Sequence, residues 1–404
     1  MVTQTINQTL AKPKHALIIG GGVTGLTTAH ELLLAGFKVT IVSKAYAPAS
    51  LADANRITSQ IAGALWEWPP AVCGRHTDGV SLGKSKRWCM VAYERFKEMS
   101  NDPILREAAG VQMRMANFFF LKPVLDCPEQ TDKMHEIEAH ADGFRHEAAI
   151  TQELGINNDY GVKDAYQHLA PVIDTDRYMQ WIYARVTELG GRLLSGVVTG
   201  DLLDQESTLL AQHNADVLIN CTGLAGNELA GDKTVYPLRG ALVRVINDGS
   251  RFPQIKEAMS LSLHGREGAN DLIFIVPRND NTLILGGLTE PNEFSLDITM
   301  ENYPPLKEMY DRNIRFYPDL AKAEIDPVYP IAVGLRPLRK QNVRVEREQR
   351  IQATGQRSRI VHNYGHGGSG FSLSFGCAED VVNFAMEVVS ERTSEQLLQL
   401  QARL

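Results

Sequence analysis

The residues best placed for chemistry stand near the two ends of the chain. Residues 16–44 read ALIIGGGVTGLTTAHELLLAGFKVTIVSK, with Gly20, Gly22 and Gly25 in the spacing G-x-G-x-x-G. Gly20 allows a tight turn, Gly22 lets main chain approach a pyrophosphate, and Gly25 lets helix and strand pack closely. The helix that starts there offers free N–H groups and the positive end of its dipole to an anion. Residues 362–376 read HNYGHGGSGFSLSFG, with Gly365, Gly367, Gly368 and Gly370 around His366. This second run is too rich in glycine for an ordinary strand or helix, and it raises the question of what needs so much bare backbone.

The first cluster carries weight because its context is complete. An apolar strand over 16–19 runs into the glycines, a helix over 26–34 follows, Gly36 stops it, and a second strand covers 38–42. The acidic residue that should close the second strand and hold an adenosine ribose is missing, since Ser43 and Lys44 stand there. A lysine in that place can meet the extra phosphate of NADP; otherwise it is solvated, and Ser43 or a backbone group meets the ribose. The motif thus predicts a dinucleotide and leaves its identity open.

These residues must be held by a larger frame. Residues 56–68, RITSQIAGALWEW, combine small and apolar residues before Pro69 and Pro70. ADVLINCTG (215–223) reads as a buried strand ending in a small-residue turn, the pattern of a parallel strand that meets a ligand. Helices are predicted over 87–99, 178–189, 304–314 and 377–392, and a strand through Val197 and Val198. After Pro237 the pattern alternates: GALVRVI (240–246), DLIFIVP (271–277) and TLILGGL (282–288) predict an antiparallel sheet in a second domain. His135, His140 and His146 lie in the polar stretch 128–147, on no shared helix face and without a cysteine or clustered acid to complete a metal site.

Composition narrows the class. The chain has 404 residues, 44% hydrophobic and 22% charged, enough to bury one large core or two joined ones. A net charge of −7 argues against nucleic acid as partner. No apolar run approaches the roughly 18–20 residues of a membrane span. The opening MVTQTINQTLAKPKH is polar and reads as a frayed leader, not a secretory signal. Five scattered cysteines without a CxxC pair fit a reducing, cytoplasmic setting. The closing Ala402-Arg403-Leu404 offers a peroxisomal address as the alternative.

Taken together, the fingerprint, AGALW, YMQWIYARVTELGGR, ADVLINCTG, GLRPLR, VRVERE and above all HNYGHGGSG resemble the D-amino-acid oxidase family of flavoenzymes through most of the chain. The resemblance implies an α/β fold, a Rossmann-like FAD-binding domain (1–68, 170–230 and 330–404) with a second α+β substrate-binding domain on an antiparallel sheet (69–169 and 231–329). It implies non-covalent FAD completed by both chain ends, which answers the question posed by the second glycine cluster. Beside Gly20, Gly22, Gly25, Ser43 and Lys44, the FAD contacts carried over are Gly21, Val23, Thr24, Ser59, Gly63, Ala64, Leu65, Val198, Thr222, Gly367, Gly368, Gly370, Phe371 and Ser372, the last at the start of the following helix. Arg336 in GLRPLR matches the arginine that grips the substrate carboxylate, a role for which a guanidinium fork is suited. Gly368 would accept a hydrogen bond from the substrate amine through its carbonyl. His366 and Arg339 read as structural, and Cys221 as a small buried hydrophobe.

The match departs at the substrate. Where the family places a tyrosine beside the carboxylate, this chain has Phe274, and a second lid tyrosine corresponds roughly to Asn270. His264, Arg266 and Asn270 are candidate replacement donors. Glu67 and Trp68 face the substrate side of the flavin in the family, and Ser369 replaces a bulkier residue. The expected function is oxidative deamination of a D-amino acid by hydride transfer to FAD, with an imine product and O2 reduced to H2O2. The alternatives are a flavin-dependent oxidase or dehydrogenase of an L-configured, cyclic or modified amino acid or amine, and a flavin-binding protein with little turnover. The expected partners are a small amine or amino acid and O2, with no membrane; a homodimer is the one assembly considered.

Overall fold

The computed structural model describes residues 14–50, 53, 55–71, 76–261 and 272–401, with 393–401 by backbone alone. The leader, His264, Arg266, Asn270 and the closing tripeptide lie outside the described residues. Two sheets organise the chain. The first has six strands in the order β14 (Arg344–Arg347), β15 (Ile360–Tyr364), β7 (Val217–Asn220), β1 (His15–Ile19), β2 (Lys38–Ser43) and β6 (Arg192–Ser195). All neighbours are parallel except β14 against β15. Strands β1 and β7 are mostly apolar, and with β15 they are buried because helices cover both faces of such a sheet. β15 pairs with β7, which pairs with β1, so the two glycine clusters leave the same edge of one sheet.

The second sheet is mostly antiparallel. Its order is β12 (Glu290–Pro291), β8 (Val235–Ile246), β11 (Thr282–Gly286), β10 (Ile273–Pro277), β9 (Ala258–Leu261), β3 (Val111–Phe120), β5 (Asp164–Ile173) and β4 (Arg145–His146), while β13 (Ile331–Arg339) also pairs with β8. One face holds Ala116, Tyr166, Val172, Val276, Ile284 and Leu242 and shares a core with the first sheet's helices. The other face, with Val243, Ile275 and Leu285, packs on the helix Pro304–Phe316 through Leu306, Met309 and Phe316.

Several boundaries differ from the sequence reading. The strand expected through Val197 and Val198 ends at Ser195, and Val197 is 68% exposed. Although 330–404 is grouped with the FAD-binding domain above, Ile331–Arg339 pairs along its whole length with β8 of the second sheet. The final helix starts at Ser374, so Ser372 precedes it instead of opening it. Gly376 lies inside this helix, where an added Cβ would strike the Trp88 backbone, so its bareness serves a close crossing with the helix Gly79–Asn101. His140 stacks on Trp68 with ring centres 5.1 Å apart, and His146 bonds Asp164 at 2.9 Å.

Candidate active site

Both glycine clusters line one cavity of about 580 Å³. Its wall takes Gly20 to Thr24 from the turn after β1, Ser43 and Lys44 from the end of β2, and Thr222 from the end of β7. Ser59 and Gly63 line it from the small-residue segment, Arg336 from β13, and Gly367, Gly368, Gly370 and Phe371 from the second cluster. The turn after β1 is built from bare backbone. Gly20 has φ +111°, and a Cβ there would strike the Cys221 carbonyl. Gly25 lies beneath the wall, where a Cβ would strike the Gly20 carbonyl. The helix Val23–Leu34 starts at the cavity with no acidic residue in its first turn.

Hydroxyls and amides fix these loops. The Ser43 hydroxyl accepts the Gly21 N–H at 3.0 Å and donates to the Ala45 carbonyl at 2.7 Å, so it serves the turn. The Ser59 hydroxyl accepts the Val23 N–H at 3.0 Å. Thr222 donates its hydroxyl to Asn220 Oδ1 at 2.7 Å. The Asn220 amide meets His362 Nδ1 at 3.2 Å, and His362 Nε2 meets Glu348 at 3.1 Å. Because an amide N–H can only donate, His362 accepts at Nδ1 and donates at Nε2. Burial pushes the Glu348 carboxyl up, but bonds from His362 and Arg350 outweigh it and hold it well below the usual range.

The other end of the cavity is a charged site. Arg336 projects from β13 into the cavity wall and is half-buried, and desolvation lowers its pKa to about 10, so it stays protonated at neutral pH. Its Nη1 donates to the Leu288 carbonyl at 3.3 Å, and no carboxylate pairs with it among the described residues. A half-buried guanidinium without an acid partner keeps part of its desolvation cost, and an incoming anion relieves it. Phe274 does not line the cavity; its ring packs on Gly63, where an added Cβ would come within 2.6 Å. Arg278, just past β10, donates to the Ala62 carbonyl at 2.6 Å and to Thr175 at 2.7 Å, tying this roof to the cavity wall.

Four other residues named from sequence stand off the wall. Ala64 has φ +51°, and its carbonyl accepts the Ile173 N–H at 3.1 Å. Leu65 forms a bridge to Val172. Val198 packs on the Leu202 cluster behind β6, and Ser372 is buried before the last helix. Conversely, Arg56, Cys221, Gly240, Gly334 and Asn363 line the cavity without having been singled out for it. The signal for the glycines was their opposition: Gly240 pairs with Gly334 across β8 and β13, which only register reveals. The Cys221 thiol is pushed up to about 12 by burial and is inert.

Two buried polar atoms at the wall lack partners among the described residues, His366 Nε2 and Asn363 Oδ1. Burial lowers His366 to about 4, so its imidazole is neutral at ordinary pH. The cavity thus offers glycine backbone, a helix start, an unpaired imidazole nitrogen and an unpaired amide oxygen to a large polar ligand.

A family model described as FAD dependent oxidoreductase matches residues 15–383. The chain belongs to this family of FAD-dependent oxidoreductases. It is 29% identical to a D-amino-acid oxidase of Dictyostelium discoideum over 91% of this chain and 90% of that protein. It is also 29% identical to a D-amino-acid oxidase of Rubrobacter xylanophilus over 93% and 97%. Among solved structures, glycine oxidase from Bacillus cereus superposes with TM-score 0.67 at 16% identity, covering 93% of this chain and 95% of that one. L-proline dehydrogenase from P. horikoshii superposes at 0.64 and 16%, covering 94% of each chain. This family member is an amino-acid or amine oxidoreductase with FAD as its cofactor, and the orphaned His366 and Asn363 atoms and the bare glycine turns fit such a group. No described helix is long and apolar enough to cross a membrane.

Proposed function

We propose that the chain oxidises a D-amino acid to its imine, which water converts to the 2-oxo acid and ammonia, with O2 as final acceptor and H2O2 as by-product. The observation that carries this reading is Arg336, a guanidinium held at the cavity with one carbonyl contact and no acid partner among the described residues. Its fork takes the substrate carboxylate and fixes the plane of that group. The Gly368 carbonyl accepts from the amine, and between these two anchors the α-carbon has one orientation. Bound FAD would supply the acceptor for the α-hydrogen and its electron pair and the route of those electrons to O2. Residues Gly20–Thr24, Ser59, Gly63, Thr222 and Gly367–Phe371 would hold it. No protein acid or base is needed if the amine enters neutral, and His366, neutral at working pH, supports a hydrogen-bonding role and not a cationic one.

A second reading is an oxidase or dehydrogenase of an L-configured, cyclic or N-substituted amino acid. Phe274 favours it, because it stands where the family resemblance implies a tyrosine, and the similar folds include glycine, iminodiacetate and L-amino-acid enzymes. One experiment separates the readings. The yellow protein is mixed without oxygen with paired D- and L-amino acids, proline and sarcosine, and loss of flavin colour is followed; peroxide is then measured in air. Bleaching by the D-enantiomers with peroxide release is expected. Bleaching by L- or N-substituted substrates alone overturns the first reading in favour of the second.

A further inference from the structure

Arg336 is the one residue of the roof on which the reading above depends, yet little in its surroundings holds it. Its single hydrogen bond among the described residues is to the Leu288 carbonyl. Arg339, three residues on, is different: its Nε donates to Asp232 at 2.7 Å, and that ion pair fixes it. What shapes the position of Arg336 is empty space. At Gly240, on the neighbouring strand β8, an added Cβ would collide at once with Cζ and both terminal nitrogens of the Arg336 guanidinium. The fork therefore lies across bare backbone at Gly240. Gly240 is not among the glycines with positive φ, so backbone conformation does not demand glycine there. Gly334, opposite it in register, instead faces Ile61, at 3.1 Å from an added Cβ.

We infer that Gly240 is a positioning residue that selects carboxylate-bearing substrates, by leaving the space in which the Arg336 guanidinium lies against the cavity. A methyl group at 240 would push the fork out of that place without removing its charge. Bidentate recognition depends on the plane of the fork as much as on its charge, so a displaced fork grips a carboxylate poorly. The effect falls on amino acids and spares amines that carry no carboxylate, which makes Gly240 a determinant of substrate class.

The inference rests on the amino-acid reading of the site, and the test separates the two. The probe is 2-aminoisobutyrate, which has a carboxylate and an amine but no α-hydrogen to lose, so it binds without reacting. Its Kd is read from the visible spectrum of the FAD-loaded protein for wild type, Gly240→Ala, Arg336→Ala and the double variant. Expected are a rise in Kd of about tenfold or more in each single variant, and no further rise in the double variant over Arg336→Ala. Relative turnover of n-propylamine against D-alanine is expected to rise in Gly240→Ala. Unchanged Kd in Gly240→Ala beside a raised one in Arg336→Ala sinks this inference and leaves the function standing. Unchanged Kd in Arg336→Ala sinks the anchor itself. Additive losses would mean that Gly240 acts through the fold, which also overturns the inference. Should Gly240→Ala fail to hold FAD, recovery of FAD binding in the double variant supports the collision, and failure of both variants refutes it.

Discussion

Along the cofactor wall, from Gly20 to Thr24 and from Gly367 to Phe371, main chain lies against the cavity and side chains serve mainly to brace it. Along the roof, the proposed recognition falls to one side chain, Arg336, whose guanidinium lies across the bare backbone of Gly240. Backbone recognition needs only glycines at fixed offsets within one loop. Side-chain recognition needs several strands in register, each bringing one residue. The first arrangement turns on its glycines and the hydroxyls that brace them, while the second is retuned by a single substitution on a neighbouring strand.

The contrast can be broken most severely at its backbone end. Gly20→Val places a branched side chain at φ +111° and against the Cys221 carbonyl. The purified variant is expected to be colourless and to take up no FAD on addition; a yellow protein would show that the turn is not held as described. At the roof, Arg336→Ala is expected to keep FAD and its colour. Loss of hydrogen bonds to a charged group costs about 1.5–3 kcal/mol, so KM for D-amino acids should rise about 10- to 150-fold. Steady-state kinetics with unchanged KM would remove Arg336 from the site.

A third expectation concerns the frame that both walls share. Burial lowers the pKa of His168 and His366 to about 4 from an ordinary 6.5, and lowers that of His362 as well. The unfolded chain therefore takes up protons that the folded chain resists. Stability is fully held above pH 6.5 and is lost as pH falls towards about 4. Glu348, held below its ordinary 4.5, adds to the loss below that pH. Melting temperatures of the FAD-loaded protein should fall across this range, with a shallower slope in His366→Gln; a flat profile would contradict the burial of these imidazoles. The smallest change expected is at Phe274. The hydroxyl added by Phe274→Tyr lies beside Gly63, which lines the cavity, and kcat/KM for D-alanine should rise, by about tenfold for one hydrogen bond of ~1.5 kcal/mol. A fall would mean that the ring must pack on Gly63 undisturbed.

Much of the cofactor wall was legible in the sequence because its signals are local. The spacing of Gly20, Gly22 and Gly25 reports a turn without reference to anything distant, and the run from Gly365 to Gly370 likewise announces close approach. Gly376 closes the same stretch of sequence, and its bareness fits a helix crossing at Trp88. The strand taken through Val197 and Val198 failed because two exposed or half-buried valines look the same in sequence as two buried ones. The roof was less legible. That β13 belongs beside β8, and that Gly240 therefore meets Arg336, is a fact of strand register between segments about a hundred residues apart. Arg336 itself was found only through resemblance, since an arginine among four in twelve residues has no local mark.

The placement of β15 next to β7, with Gly367–Phe371 just beyond it, has a consequence for how the protein is made. A growing chain that has emerged only through residue 350 holds the first glycine turn and the roof but lacks one side of the cavity. Capture of the yellow cofactor therefore waits on the synthesis of β15 and the glycine loop beyond it, and products cut short upstream of them lack one wall of its site.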